Sequence, residues 1–247
     1  MLMTCQGDLQ LNTLTIDTAT SLEIVTVAAG DNVADESSPV GSSHSVTLFN
    51  RIQAALEKTG ITAGGLDLIG VGTGPGSFTG IRIAVTTTRM LAQVLSVPLV
   101  GVSSTLLHAV SVPGNPGDRV LVAFDAKKKR VFGALYMITD NRLMPEVLLQ
   151  PGDYEPETLF RNAHGKGNLY TLGNGIELYL EKAGDTEFTH MDNFIPEGRI
   201  ITDLVHSLYI SEPDRYTDFN SVVPMYARKS DAEIMKEIKA ETRQDKK

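Results

Sequence analysis

Residues 66–95 read LDLIGVGTGPGSFTGIRIAVTTTRMLAQVL. Leu66 to Val71 is a near-continuous apolar run, as expected of a strand buried on both faces. Gly72 to Gly80 form a glycine-rich link. A helical pattern follows from Ile81 to Leu95, with Ile81, Ile83, Ala84, Val85, Met90, Leu91, Val94 and Leu95 spread round more than one side. Strand, turn and helix in this order are the unit of an α/β fold. The glycines permit positive φ and close approach of a ligand or of neighbouring backbone. The helix start offers free N–H groups to an anion. A tight turn with Ser77 or Thr79 as N-cap explains the same residues equally well. No Gly-Lys-Ser/Thr follows, and glycines at 72, 74, 76 and 80 lack the G-x-G-x-x-G spacing, so neither common phosphate-loop motif is present.

The same alternation extends on both sides. Leu11–Asp17 is a β-rich run ending at an acid, Leu22–Ala29 a second, and a weaker third lies within Asn32–Pro39. His44–Lys58 reads as a helix with Leu48, Phe49, Ile52, Ala55 and Leu56 on one face, stopped by Gly60. Pro98–Val102 reads as a strand and Ser103–Val110 as a short helix. After Val112–Asp118 (VPGNPGD) the pattern restarts. Arg119–Asp125 and Val131–Ile138 read as strands about a turn, with a third strand at Leu143–Leu149. Asp17 and Asp125 end equivalent strands 108 residues apart, which indicates an internal duplication. Beyond it come a strand at Leu169–Leu172, a helix from the Gly173-Asn174-Gly175 link to Ala183, and a helix at Ile200–Ser211. Ser221–Tyr226 is extended, and Lys229–Lys247 is charged throughout. The expected organisation is a lobe over 1–112 with 1–13 as an extension, a second lobe over 113–215, and a C-terminal segment and tail over 216–247.

Composition narrows the function classes. The 247 residues are 42% hydrophobic and 21% charged, which is globular. A net charge of −8 gives no overall attraction for phosphate backbones. The one basic cluster, Lys127–Arg130, reads as a solvated turn, so contact with RNA is expected only through a partner. No apolar run has the roughly 18 residues of a membrane span, and the start has no basic n-region. The single Cys5 allows no internal disulfide, which fits a reducing cytoplasm. Histidines at 44, 108, 164, 190 and 206 show no short metal-binding spacing, so no metal site is expected, and His44 reads as a helix-start residue. Ser77 is not in a G-x-S-x-G elbow.

As a string, Gly74-Pro-Gly-Ser-Phe-Thr-Gly-Ile-Arg82 closely resembles the signature of the TsaB family, also called YeaZ. Leu14-Thr-Ile-Asp17-Thr-Ala-Thr-Ser, His44-Ser45, Pro98-Leu-Val-Gly-Val-Ser-Ser-Thr105, Val122-Ala-Phe-Asp-Ala126 and Pro224-Met-Tyr-Ala-Arg228 are also similar to family segments. The chain departs from them in the residues before Leu14, in the basic turn after Asp125, and in Ala227, where Leu is usual. The resemblance implies two actin-like (ASKHA, RNase H-like) lobes of mixed sheets flanked by helices, the second degenerate. It implies a cytoplasmic, non-catalytic scaffold for making threonylcarbamoyladenosine beside the anticodon of tRNAs that read codons beginning with A. In that role the chain supports the catalytic paralogue TsaD, with TsaE, and pairs with itself when alone. No cofactor is then required, though a relic site for weak ATP or ADP with Mg²⁺ is implied at Asp17, Thr18, Gly74, Gly76, Ser77, Thr79, Gly80 and Asp125. The partner interface is implied on two helices, at Val46, Asn50 and Gln53 and at Ala84, Val85, Thr88 and Arg89. A charge at Ala84 or Val85 is expected to break it in a folded monomer. The two strand-end acids and the glycine-rich link keep an alternative open, an active ATP-dependent small-molecule kinase or ATPase.

Overall fold

The computed structural model describes residues 10–40 and 44–228, with backbone only at His44 and Ser45. Expectations for Cys5, most of the extension, the His44 side chain and the Lys229–Lys247 tail lie outside these residues. The first repeat runs β1 (Thr13–Asp17), β2 (Leu22–Ala29), β3 (Asn32–Asp35), β4 (Ser38–Pro39), α1 (His44–Thr59), β5 (Leu68–Gly72), α2 (Phe78–Leu95), β6 (Leu99–Val102) and α3 (Ser104–Ala109). The second runs β7 (Arg119–Asp125), β8 (Val131–Met137), β9 (Glu146–Tyr154), α4 (Pro156–Asn162), β10 (Leu169–Leu172), α5 (Asn174–Leu178), β11 (Thr189–His190) and α6 (Gly198–Ser211).

The duplication is visible in the pairing. The first sheet has the order β3-β2-β1-β5-β6, with β4 on β2, and the second β9-β8-β7-β10-β11. In both, an antiparallel hairpin meets two further strands added in parallel: Ile16 faces Val25 and Val71, while Val122 faces Ala134 and Leu172. Strands β1 and β5 are buried at every position, which is why they read as apolar runs.

Each sheet is covered on both faces. On the outer face of the first sheet, α1 and α2 bury Leu48, Ile52, Ile81, Ala84 and Val85 with Val25, Val27 and Val71. Arg51 fixes α1 there, its Nε 2.8 Å from the fully buried Glu23 carboxylate. The outer face of the second sheet packs Leu159 and Phe160 of α4 and Ile176 of α5. Between the sheets lie α3 and α6, and each reaches the sheet of the other repeat, while α3 also keeps Leu107 and the following Val110 against Leu68 and Val100 of the first. His108 and Ala109 of α3 pack on β7 of the second sheet. Ile201, Leu204 and Val205 of α6 pack with Ile24, Leu68 and Val100 of the first.

This exchange corrects the expected boundary. Residues 198–211 were expected inside the second lobe of 113–215, but their apolar face lies on the first sheet, where Val205 closes against Gly70. The third strand of the second repeat also shifts, from Leu143–Leu149 to Glu146–Tyr154. An Asn141 turn occupies 139–144: its Oδ1 accepts from Leu143 N–H and its carbonyl from Met144 N–H. Pro151 is tolerated because β9 is an edge strand. The helix expected to reach Ala183 ends at Leu178, and a single 3₁₀ turn at Leu180–Lys182 follows.

His108 sits in the exchange, edge-on to Phe124 at 5.0 Å. Burial lowers its pKa from 6.5 to about 4, so it is neutral in the folded chain at neutral pH. The unfolded chain therefore takes up the proton first as pH falls. Stability is full above 6.5 and declines between 6.5 and 4, by about 3 kcal/mol across that window. Denaturant unfolding at pH 7 and pH 5 should show a fall of about 2 kcal/mol, and His108→Phe should flatten that dependence. An unchanged slope in the variant would place the pH sensitivity elsewhere.

Candidate functional site

The glycine-rich link crosses from β5 to α2 at the end of the β1–β2 turn. Ser77 caps α2, its Oγ accepting from Gly80 N–H at 3.2 Å. Its own N–H donates to the Ala19 carbonyl at 2.6 Å, and the Thr18 hydroxyl donates to the Gly80 carbonyl at 2.6 Å. The backbone of residues 18–19 lies so close that a Cβ on Gly76 would fall 2.3 Å from the Ala19 carbonyl oxygen, and one on Gly80 1.9 Å from that of Thr18. The glycines therefore admit a neighbouring backbone, and the link is a packed joint between repeated elements. Of the two readings of the link, the tight capped turn describes these contacts.

A cleft of about 480 Å³ opens between the two lobes beside this joint. Ala19, Gly76 and Ser77 line it from the first lobe, and Phe124, Asp125, Lys127 and Asn174 from the second. Of the expected nucleotide-site residues it brings together Gly76, Ser77 and Asp125. Asp17, Thr18, Gly74 and Gly80 are buried beneath the link, and Thr79 faces the opposite side. The Asp17 carboxylate accepts from Ala19 N–H at 2.7 Å and shapes the turn. Asp125 is engaged too: it accepts from Lys127 N–H at 2.8 Å and its Nζ at 2.5 Å, and Lys127 is held in the left-handed region with Lys128 and Lys129. The basic turn thus folds back onto its own strand-end acid. The Asp125 carboxylate raises the Lys127 pKa, first by accepting its hydrogen bond and then by charge attraction.

The C-terminal segment straps this cleft. Met225 N–H donates to the Thr73 carbonyl at 2.7 Å. The Tyr226 ring stacks on Phe78 at 4.7 Å, and Arg82 lies 4.2 Å above Phe78 while its Nε donates to the Tyr226 hydroxyl at 2.8 Å. Arg89 reaches Asn220 at 2.6 Å, and Arg228 donates to the Ala126 carbonyl across the cleft. The string Pro224–Arg228 was noted in the sequence, but no role was assigned to Phe78, Arg82, Tyr226 or Arg228. The extended reading of Ser221–Tyr226 and the strings Gly74–Arg82 and Pro224–Arg228, which contain all four residues, are the signals the sequence offers.

On the far side of α2 an apolar groove of about 490 Å³ runs between α1 and α2, lined by Phe49, Phe78, Thr79, Arg82, Ile83 and Thr86. Phe49 in the groove, Val46 on the same helix, and Met90 and Val94 on α2 are exposed, Val94 by 75%. Among the expected interface residues, Val46, Asn50 and Gln53 are exposed on α1, and Arg89 is half-buried. Ala84, Val85 and Thr88 are the correction: all three point into the first core at 2% exposure or less. Thr88 even donates its hydroxyl to the Ala84 carbonyl. The apolar positions of α2 cover too wide an arc for the sequence to say which of them faces outward.

The family model "TsaD: tRNA N6-adenosine threonylcarbamoyltransferase" matches residues 38–177, more than half of the chain. The Bacillus subtilis tRNA threonylcarbamoyladenosine biosynthesis protein TsaB is 26% identical over 228 residues, covering 89% of this chain and 95% of that protein. The Escherichia coli TsaB is 30% identical over 143 residues, or 56% of this chain and 62% of that one. The chain belongs to the TsaB (YeaZ) family. YeaZ from Pseudomonas aeruginosa superposes with a TM-score of 0.75 at 20% identity, covering 87% of this chain and 99% of that one. A second Pseudomonas aeruginosa structure, titled as similar to peptidase YEAZ, gives 0.76 at 22% identity over 88% and 100%. Two mixed sheets flanked by helices are the actin-like architecture, and the TsaB fold places the strapped cleft and the α1–α2 groove on opposite sides of α2.

Proposed function

We propose that this chain acts in the biosynthesis of threonylcarbamoyladenosine in tRNA, as a cytoplasmic, non-catalytic scaffold that docks on the catalytic paralogue TsaD and works with TsaE. The names of its TsaB relatives support the pathway. The observation that carries the docking role is the α1–α2 groove. A monomer that leaves Val46, Phe49, Met90 and Val94 exposed along two adjacent helices has a surface suited to packing against two more. The same surface supports a homodimer that competes with the heterodimer. Among the described residues no helix is long and apolar enough to cross a membrane. With a net charge of −8, contact with tRNA is assigned to the assembled complex.

The test is reconstitution from tRNA, a source of threonylcarbamoyl adenylate, TsaD and TsaE, with and without this chain. Equal modification without it would overturn the reading. Within the same assay, Ile83→Glu and Met90→Glu are expected to weaken association with TsaD by roughly 30-fold, the size of a hot-spot loss of about 2 kcal/mol. Circular dichroism and the unfolding midpoint should stay near those of the unmodified chain in Met90→Glu, whose side chain is about half in water, whereas Ile83→Glu should lower the midpoint because Ile83 packs partly on the first core. Unchanged affinity in both variants would move the interface off this groove.

A second reading, a kinase or ATPase, or a relic site for weak Mg²⁺-nucleotide, is favoured by one observation, the cleft that joins Ser77 to Asp125 and Lys127. ATP turnover by the purified chain that disappears in Asp125→Asn would favour it over the scaffold.

A further inference from the structure

Outside the cleft and the groove, three metal-ligating side chains converge at the edge of the second sheet. Glu177 comes from α5, His190 ends β11, and Asp192 follows two residues later. Their donor atoms all lie within 4.8 Å of one another. His190 Nε2 is 3.6 Å from Glu177 Oε1 and 3.4 Å from Asp192 Oδ1. These separations exceed an ordinary N–H···O hydrogen bond, and Nε2 is buried with no hydrogen-bond partner. The ring is held from its other side, where Nδ1 lies 2.9 Å from the Thr171 hydroxyl on β10.

We infer that Glu177, His190 and Asp192 form a binding site for a divalent first-row metal ion, best suited to Zn²⁺. Ligand bonds of about 2.1 Å in a tetrahedron put neighbouring donors about 3.4 Å apart, which is the spacing found between Nε2 and the two carboxylate oxygens. One imidazole and two carboxylates are a borderline donor set, too nitrogen-rich for a dedicated Mg²⁺ or Ca²⁺ cage. If Thr171 Oγ1 accepts from Nδ1–H, the lone pair stays on Nε2, directed between the carboxylates. This is the usual outer-shell device that fixes a metal-binding tautomer. Three protein ligands leave a fourth position for water.

The site also has a structural use. Strand β11 is two residues long and, among the described residues, pairs with β10 alone, Tyr170 with Thr189 and Thr171 with His190. A bound ion would clip that strand end to α5 and close the segment between residues 177 and 190. No spacing signal marks this set, because the ligands are thirteen and two positions apart and lie on three local elements. Histidine spacing alone led to the expectation of no metal.

The test is isothermal titration of the metal-stripped full chain with ZnCl₂, followed by thermal unfolding with and without the ion. Saturable one-to-one binding and a raised Tm are expected. His190→Ala should abolish both, and Thr171→Val should weaken binding by about tenfold or more. His164→Ala, at an unrelated surface histidine, should leave them unchanged. X-ray absorption at the zinc edge should show nitrogen and oxygen neighbours only. Because His190→Ala could loosen the sheet edge, Asp192→Asn, with a largely exposed side chain, supplies a second variant whose fold is safe and whose affinity should fall. No saturable binding, or binding that His190→Ala and Asp192→Asn leave intact, would overturn the site.

Discussion

Ala84→Glu is expected to unfold the chain. Ala84 is fully buried and belongs to the apolar cluster of Leu48, Ile81, Val85 and Val71 under α1 and α2. A carboxylate there loses its hydration, and the effective penalty for burying an ion is several kcal/mol. Whole-domain stability is about 5–15 kcal/mol, so this single change removes most of it. Alternatively the side chain protonates, or α2 shifts to release it, and either route gives up packing. Denaturant titration of the purified variant should show a collapsed or missing folded baseline. Met90→Glu, on the same helix with 49% exposure, should change stability by no more than about 0.5 kcal/mol. A well-folded Ala84→Glu that had lost only its partner would mean that the exposed and buried faces of α2 are reversed.

Gly80→Ala is the second large effect. In an open helix interior the change would favour folding by about 1 kcal/mol. Here the added methyl would stand 1.9 Å from the Thr18 carbonyl oxygen and 3.3 Å from Ser77 Cβ. The nearest atom is backbone, so relief requires the β1–β2 turn and α2 to part. Parting them breaks the Thr18–Gly80 and Ser77–Ala19 hydrogen bonds. Overpacking of this kind costs about 3 kcal/mol or more, so the net expectation is a loss of about 2 kcal/mol and a Tm lowered by roughly 4–8 °C. Gly64→Ala, whose methyl would meet nothing nearer than 3.9 Å, should be close to neutral. Equal Tm values for the two variants would contradict the packed joint.

The strands and their duplication were legible because burial on both faces leaves long apolar runs, and because Asp17 and Asp125 end matching strands. Helix α2 was read from Ile81 and begins at Phe78, since Ser77 supplies the cap. What could not be read is direction. Ala84 and Val85 share α2 with Ile83, Met90 and Val94 on other sides, so the apolar positions alone did not separate core from surface. The amphipathic face of Ile200–Ser211 is plain in sequence, but nothing local says which sheet it covers. In the cleft, Asp125 lines the wall, whereas Asp17 is turned into its own turn by the Ala19 N–H. The Phe78–Arg82–Tyr226 stack joins residues 144 positions apart and leaves no periodic trace.

The exchange of α3 and α6 has a consequence for how the chain is made. The inner face of the first sheet, with Ile24, Leu68 and Val100, is complete once β6 emerges, and Leu107 and Val110 follow at once, but the rest of its cover ends at Ser211. At 5–20 residues per second, a ribosome needs roughly 5–20 s to deliver the intervening stretch of about 110 residues. Throughout that interval the nascent first half is a half-covered sheet. The first repeat made as a fragment would lack Ile201, Leu204 and Val205, so the chain is expected to close this face only after α6 is made, and that apolar face is the one expected to stay open to other apolar surfaces until then.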